Sequence, residues 1–85
     1  MPEDQVDVAA RARGFAALHR PGEPLVLPNP WDVGTARILA ALGFQALATT
    51  SAGMAFSMGR RDGAVGRDAA LAHAAQIVAA TDLPV

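Results

Sequence analysis

The chain has 85 residues, of which 52% are hydrophobic and 18% are charged, and its formal net charge is −1. This charge argues against nucleic acid as the main partner, because neutralising phosphates requires a basic patch. The chain has no cysteine, no secretory leader pattern and no apolar run near the ~20 residues of a membrane span. We therefore expect a cytoplasmic protein without membrane contact.

The apolar content bears on domain organisation. A chain of this length has too little interior to bury so much apolar material. We expect residues 1–85 to form a single partial domain, the opening segment of a larger fold. Association through exposed apolar surface is the alternative.

The first predicted element is an amphipathic leading helix over residues 4–19. Its apolar face, at helical spacing, consists of Val8, Ala12, Phe15 and Leu18. Arg11 and Arg13 lie away from that face. Pro21 and Gly22 end the helix.

Residues 24–85 alternate short apolar segments with helical patterns. The predicted strands are Pro24–Leu27, Phe44–Ala48 and a third beginning at Leu83–Val85. The predicted helices are Val33–Leu42, capped by Asp32 and ended by Gly43, and Arg67–Ala80. The packing face of the second helix is expected to contain Leu71, Ala74, Ala75 and Val78, with His73 on the exposed face in a structural role. This alternation predicts an α/β fold built from parallel βαβ units.

Ligands of parallel α/β folds bind beyond the carboxyl ends of the strands. The segment Thr49–Gly53 supplies hydroxyls and small residues at such an end, and these could hold a carboxylate or phosphate oxygen. An ordinary strand exit is the alternative. In the other cluster, Asn29–Asp32, Asp32 caps a helix, and Trp31 either lines a pocket or packs.

Asp62 is the third candidate. It lies in a long loop beside Arg60 and Arg61. Its simplest role is a solvated surface ion pair. The functional alternative is an outer ligand of a hard divalent cation such as Mg²⁺, acting through water.

Two stretches together resemble the N-terminal portion of the isocitrate lyase / phosphoenolpyruvate mutase superfamily. They are LVLPNPWDVGTARILAALGFQALATTSAGMAFSMGRRDG and DAALAHAAQIVAATDLPV. The resemblance runs from about Phe15 to Val85. It covers about the first third of a typical barrel of roughly 250 residues.

The resemblance implies a (β/α)₈ TIM barrel whose members are Mg²⁺-dependent lyases or mutases (isomerases). They cleave or form C–C bonds, or rearrange C–P bonds, of small oxo-acids, dicarboxylates or phosphonates, by way of enolate-like or phosphoryl intermediates. It assigns substrate binding to Thr50, Ser51 and Ala52, and an outer-shell metal role to Asp62. It also implies a homotetramer.

The same resemblance places the direct metal ligands beyond Val85, so no catalytic residue is assigned within the chain, and the chain alone is expected to be inactive. Several relatives carry other residues at Thr49–Ala52, which leaves the substrate subclass open. Two alternatives stay beside the enzyme hypothesis. One is an inactive βα fragment or association module. The other is a flavodoxin-like domain, which would need a Gly-rich turn after the first strand, where this chain has the sequence PNPWD instead.

Overall fold

The computed structural model describes residues 6–85, which form four helices: α1 (Val8–Ala17), α2 (Val33–Ala41), α3 (Ser51–Ser57) and α4 (Arg67–Ala80). α4 packs against both α2 and α3. The leading helix predicted over residues 4–19 is shorter in the structure, where Asp7 caps α1 and Leu18 follows its last residue. Residues 4 and 5 lie outside the described residues. No helix within residues 6–85 is long and apolar enough to cross a membrane.

The ends of α2 confirm the predicted caps. The Asp32 carboxylate accepts the Thr35 backbone N–H at 2.8 Å, and Thr35 Oγ1 accepts the Asp32 N–H at 3.1 Å, which completes a capping box. At the other end Gly43 has a φ of 97°, and the N–H groups of Gly43 and Phe44 bind carbonyls of the last helical turn. This Schellman motif needs left-handed backbone at the residue after the helix, which glycine adopts without strain.

α3 is a helix that the sequence patterns did not predict. Thr50 Oγ1 accepts the Gly53 N–H at 3.2 Å at its start. Gly59, with a φ of 71°, ends it, and its N–H binds the Phe56 carbonyl. Both signals are readable in the sequence as an N-cap threonine and a terminal glycine. The helix was missed because its seven residues are too few to show helical apolar spacing.

α4 has the predicted bounds, but part of the predicted packing face is wrong. Its buried residue is Ile77, whereas Leu71 is 54% exposed. α4 is rich in alanine and therefore weakly amphipathic, so residue spacing does not select a face. The positions of α2 and α3 decide which side of α4 becomes buried.

Regular strands are absent from the described part of the chain, 6–85, at all three predicted positions: 24–27, 44–48 and 83–85. Extended segments lie there instead. The Leu47 N–H donates to the Pro84 carbonyl at 2.9 Å, and the Ala48 N–H donates to the Pro28 carbonyl at 3.0 Å. The central segment therefore lies between the other two. Because the flanking segments contain prolines, which have no N–H to donate, these pairs fall short of a regular ladder.

The core is small. Leu47 of the central segment packs with Ala36 of α2 and Ile77 of α4, and all three are at most 1% exposed. Partly buried Leu39, Ala80 and Leu83 surround them. Other large apolar side chains remain exposed, with Leu42 at 70%. This agrees with the expectation that the chain cannot bury its apolar content.

α1 is held to the rest of the chain by Arg11. No residue of α1 is buried, and Val8, predicted to pack, is 72% exposed. Arg11 Nη1 donates to the carbonyls of Val78 (2.8 Å) and Leu83 (3.1 Å), and Nη2 donates to the Thr81 carbonyl (2.8 Å). The prediction that Arg11 lies away from the packing face is therefore wrong. The last carbonyls of a helix lack intrahelical partners and attract cations, so they recruit the guanidinium.

We expect Arg11→Met to weaken the attachment of α1 by about 1.5–3 kcal/mol, the range for hydrogen bonds to charged groups. The measurement is hydrogen exchange, which should accelerate at the amides of α1 and at the end of α4. Arg13→Met, at an exposed position of the same helix, is the matched control. Equal acceleration in the two variants would contradict the role of Arg11.

The Asp32 cap predicts an acid dependence of stability. The pKa of Asp32 is lowered below its usual 3.8, mainly by the hydrogen bond from the Thr35 N–H and next by the one from the Thr35 hydroxyl. Desolvation opposes this shift, and the positive charge of His73 adds a small lowering effect. The folded state therefore binds its proton less readily than the unfolded state. The stabilisation is present above pH 3.8 and is lost as pH falls through the lowered pKa.

Asp32→Asn keeps a capping oxygen but no titrating group. We expect this variant to lose that part of the acid dependence in melts followed by circular dichroism. Asp68→Asn, at an exposed position in α4, is the control and should retain it. An unchanged acid profile for Asp32→Asn would contradict the assignment.

Candidate functional site at the ends of the extended segments

Two loops that follow the extended segments lie side by side. One contains Asn29 to Asp32, and the other contains Thr49 to Gly53. Asn29 Nδ2 donates to the Ala48 carbonyl at 2.9 Å, which joins the first loop to the residue that precedes the second. The structure thus brings together the two polar clusters that the sequence separates by about 20 positions, and the adjacency of the extended segments is the cause.

The three residues predicted to bind an anion lie at the start of α3. Thr50 is its N-cap, Ser51 is its first residue and is exposed, and Ala52 is half-buried. Thr50 Oγ1 accepts the Gly53 N–H, so one lone pair is used while the hydroxyl hydrogen can still be donated. The substrate-binding role of these residues stays a prediction.

A cavity of about 170 Å³ adjoins this cluster. One wall is formed by Thr49–Ser51 and Met54, and the other by Ala70, His73 and Ala74 of α4. Because Ala70, His73 and Ala74 are spaced at i, i+3 and i+4, they share one face of the helix. The cavity therefore combines hydroxyl groups with one imidazole.

His73 is the residue that sequence analysis missed. The prediction that it lies on an exposed face is wrong, because its side chain is half-buried and its Nε2 lies 2.8 Å from the Trp31 carbonyl oxygen. The available signal was that His73 stands between alanines on one helical face, which leaves room for a ring to reach a neighbouring loop. Its partner was not readable, because the two residues are far apart in sequence.

Trp31 packs across the second loop and is 46% exposed. A Cβ built on Gly53 would collide with the Trp31 indole and with Thr50 Cγ2. The indole also meets the Phe56 ring edge-to-face, with ring centroids 6.0 Å apart. Only a glycine permits this close approach of Trp31 to α3.

Asp62 lies in an exposed loop, beside a shallow cavity of about 320 Å³ that it lines with Arg61, Gly63 and Ala64. Within residues 6–85 no group of three or more His, Cys, Asp or Glu side chains could hold a metal ion. One exposed carboxylate does not supply the oxygen ligands that Mg²⁺ requires. The described residues therefore do not by themselves fit the ion.

Gly53→Ala tests the contact between Trp31 and α3. We expect a loss of about 1–3 kcal/mol in the free energy of unfolding, because the added methyl overpacks the interface. Denaturation followed by the fluorescence of Trp31, the one tryptophan of the chain, measures it.

Gly14→Ala in α1 is the matched control, since no atom lies within 4 Å of a Cβ built there. This control should be stabilised by about 0.5–1 kcal/mol through helix propensity alone. Stabilisation of Gly53→Ala by a similar amount would contradict the packing described.

Comparisons with known proteins agree with the resemblance. The family model described as Phosphoenolpyruvate phosphomutase matches residues 15–85. Two Mycobacterium tuberculosis proteins, both described as uncharacterized, are 51% identical over 49 residues, which are 58% of this chain and 19% of theirs. The crystal structure of a "putative lyase/mutase" from Burkholderia cenocepacia superposes with a TM-score of 0.85 at 58% identity, covering 91% of this chain and 28% of that chain.

The chain thus spans about a fifth of the length of its curated relatives and 28% of the structural neighbour. The family match covers most of the described residues, including both loops of the candidate site. The chain belongs to the phosphoenolpyruvate phosphomutase family, within the isocitrate lyase / phosphoenolpyruvate mutase superfamily.

Proposed function

We propose that this chain forms the opening part of a (β/α)₈ barrel enzyme, a lyase or mutase that acts on a small oxo-acid, dicarboxylate or phosphonate through an enolate-like intermediate. The carrying observation is the adjacency of the Asn29–Asp32 and Thr49–Gly53 loops at one end of the extended segments. Barrel enzymes bind substrate at that end of their strands. Membership of the family supports the reaction class.

In this proposal Thr50, Ser51 and Ala52 hold the anionic group of the substrate. The Ser51 hydroxyl is exposed, and the Thr50 hydroxyl can donate while its oxygen caps α3. These donors lie on the rim of the cavity that His73 also lines. Hydrogen bonds to a carboxylate or phosphonate are charge-assisted and therefore strong for their number.

We propose Mg²⁺ as the cofactor of the longer protein, with direct ligands and a general base from outside residues 6–85. Asp62 would contribute through water, as an exposed carboxylate in a glycine-containing loop can. When bound, such an ion supplies Lewis-acid stabilisation of developing negative charge. The family resemblance also supports the proposal of a homotetramer, and the cysteine-free sequence supports the proposal of a cytoplasmic location.

A non-catalytic association module is the second candidate. The exposed apolar side chains Val26, Ile38 and Leu42, 59–70% accessible, favour it. Because both proposals allow self-association, oxalate titration of the full-length protein in the presence of Mg²⁺ separates them. Oxalate binding favours the enzyme, and self-association without oxalate binding favours the module.

Ser51→Ala in the full-length protein tests the proposed binding role. With Mg²⁺ present, oxalate, an enolpyruvate mimic, should raise the melting midpoint of the wild type, because it binds only the folded state. Loss of one hydrogen bond to an anion should weaken oxalate binding by about tenfold. Calorimetric titration with oxalate measures the change.

Ser57→Ala, at the opposite end of α3, is the matched control and should bind oxalate as the wild type does. Thr50→Ser keeps the capping oxygen and should also bind. A second pair of variants tests the metal role. In the presence of Mg²⁺, Asp62→Asn should bind oxalate more weakly than the control Asp68→Asn does. Wild-type affinity in Ser51→Ala would remove Ser51 from the proposed site.

A further inference from the structure

We propose that His73 is a positioning residue for the anion-binding residues Thr50–Ala52 and acts on them through Trp31. The inference rests on the proposed function, because it concerns the site proposed there. His73 belongs to α4, whereas Trp31 follows the first extended segment. The anion-binding residues lie at the start of α3, so the link connects α4, the first loop and α3, which only the fold brings together.

The first step is the hydrogen bond between His73 and Trp31. A backbone carbonyl can only accept, so at 2.8 Å the His73 Nε2 must carry the hydrogen and donate it to the Trp31 oxygen. This holds for the neutral and for the charged ring. The bond holds the backbone of Trp31 at a fixed distance from α4.

The second step is the contact of the Trp31 indole with α3. The indole lies so close to Gly53 that a Cβ there would collide with it, and the same Cβ would meet Thr50 Cγ2. Gly53 also donates its N–H to Thr50 Oγ1. Movement of Trp31 therefore displaces the turn that contains the hydroxyl and N–H donors of the site.

The third observation is that Trp31 is tied from its other side as well. Its N–H donates to Thr35 Oγ1 at 3.0 Å, within the capping network of Asp32. The N–H is thus held by α2 and the carbonyl by α4. Loss of the His73 bond leaves the backbone of Trp31 held only from the side of α2, so the residue that carries the indole can shift relative to α3.

The experiment compares three variants of the full-length protein. His73→Gln keeps a donor near the position of Nε2, His73→Leu removes it, and His73→Asn keeps polarity but is too short to reach Trp31. Nitrogen–proton NMR spectra report the Trp31 indole N–H and the Ser51 and Ala52 amides. Oxalate titration in the presence of Mg²⁺ reports the site.

We expect His73→Leu and His73→Asn to shift these three resonances and to weaken oxalate binding by about 3- to 10-fold, the loss of one hydrogen bond. His73→Gln should restore both readouts. Gln76→Leu, at an exposed position on the same helix, is the control and should change neither. If His73→Leu does not fold, the pair of His73→Gln and His73→Asn decides.

Unchanged resonances in His73→Asn, or equal losses in His73→Gln and His73→Asn, would overturn the proposal. A general loss of stability would shift resonances throughout α4 and would not be restored by glutamine, which also counts against it. If the wild type binds no oxalate, the proposed function is contradicted. The resonances of Trp31 and Ser51 then still decide whether His73 positions the loop.

Discussion

The described fold depends on Leu47 and the residue that follows it. The Leu47 side chain fills the space between Ala36 of α2 and Ile77 of α4, and it is 1% exposed. Its N–H donates to the Pro84 carbonyl of the third segment, and the N–H of Ala48 donates to the Pro28 carbonyl, next to the first segment. Side-chain burial and backbone pairing therefore hold the same short segment. The helices and both flanking segments take their places relative to it.

The candidate site follows from this arrangement. Since the extended segments are adjacent, the loops after them meet, and the side chain that ends each loop region caps the next helix: Asp32 caps α2 and Thr50 caps α3. Capping orders these side chains without using every hydrogen-bonding group. Trp31 then fills the space between the loops, where Gly53 admits it. The site is thus shaped by caps and one close contact rather than by a deep core.

Much of this could be predicted from the sequence where the interaction is local. The Asp32 cap, the Gly43 terminus and the bounds of α4 each depend on residues within about one turn of each other. The order of motifs was specific enough to identify the family, which the comparisons confirm. The candidate residues Thr50 and Asp62 were found in this way, and their roles stay predictions.

Tertiary structure decided the rest, because those interactions join residues distant in the chain. Arg11 was expected to lie away from the packing face of its helix, yet it donates to the Val78 and Thr81 carbonyls at the end of α4. His73 has no partner until the first loop meets α4. The side of α4 that is buried was also settled by its neighbours, since an alanine-rich helix lacks a strong apolar stripe. Sequence by itself determined the ends of α2 and α4 and the family, because those signals are local. The tertiary structure decided which distant groups became partners.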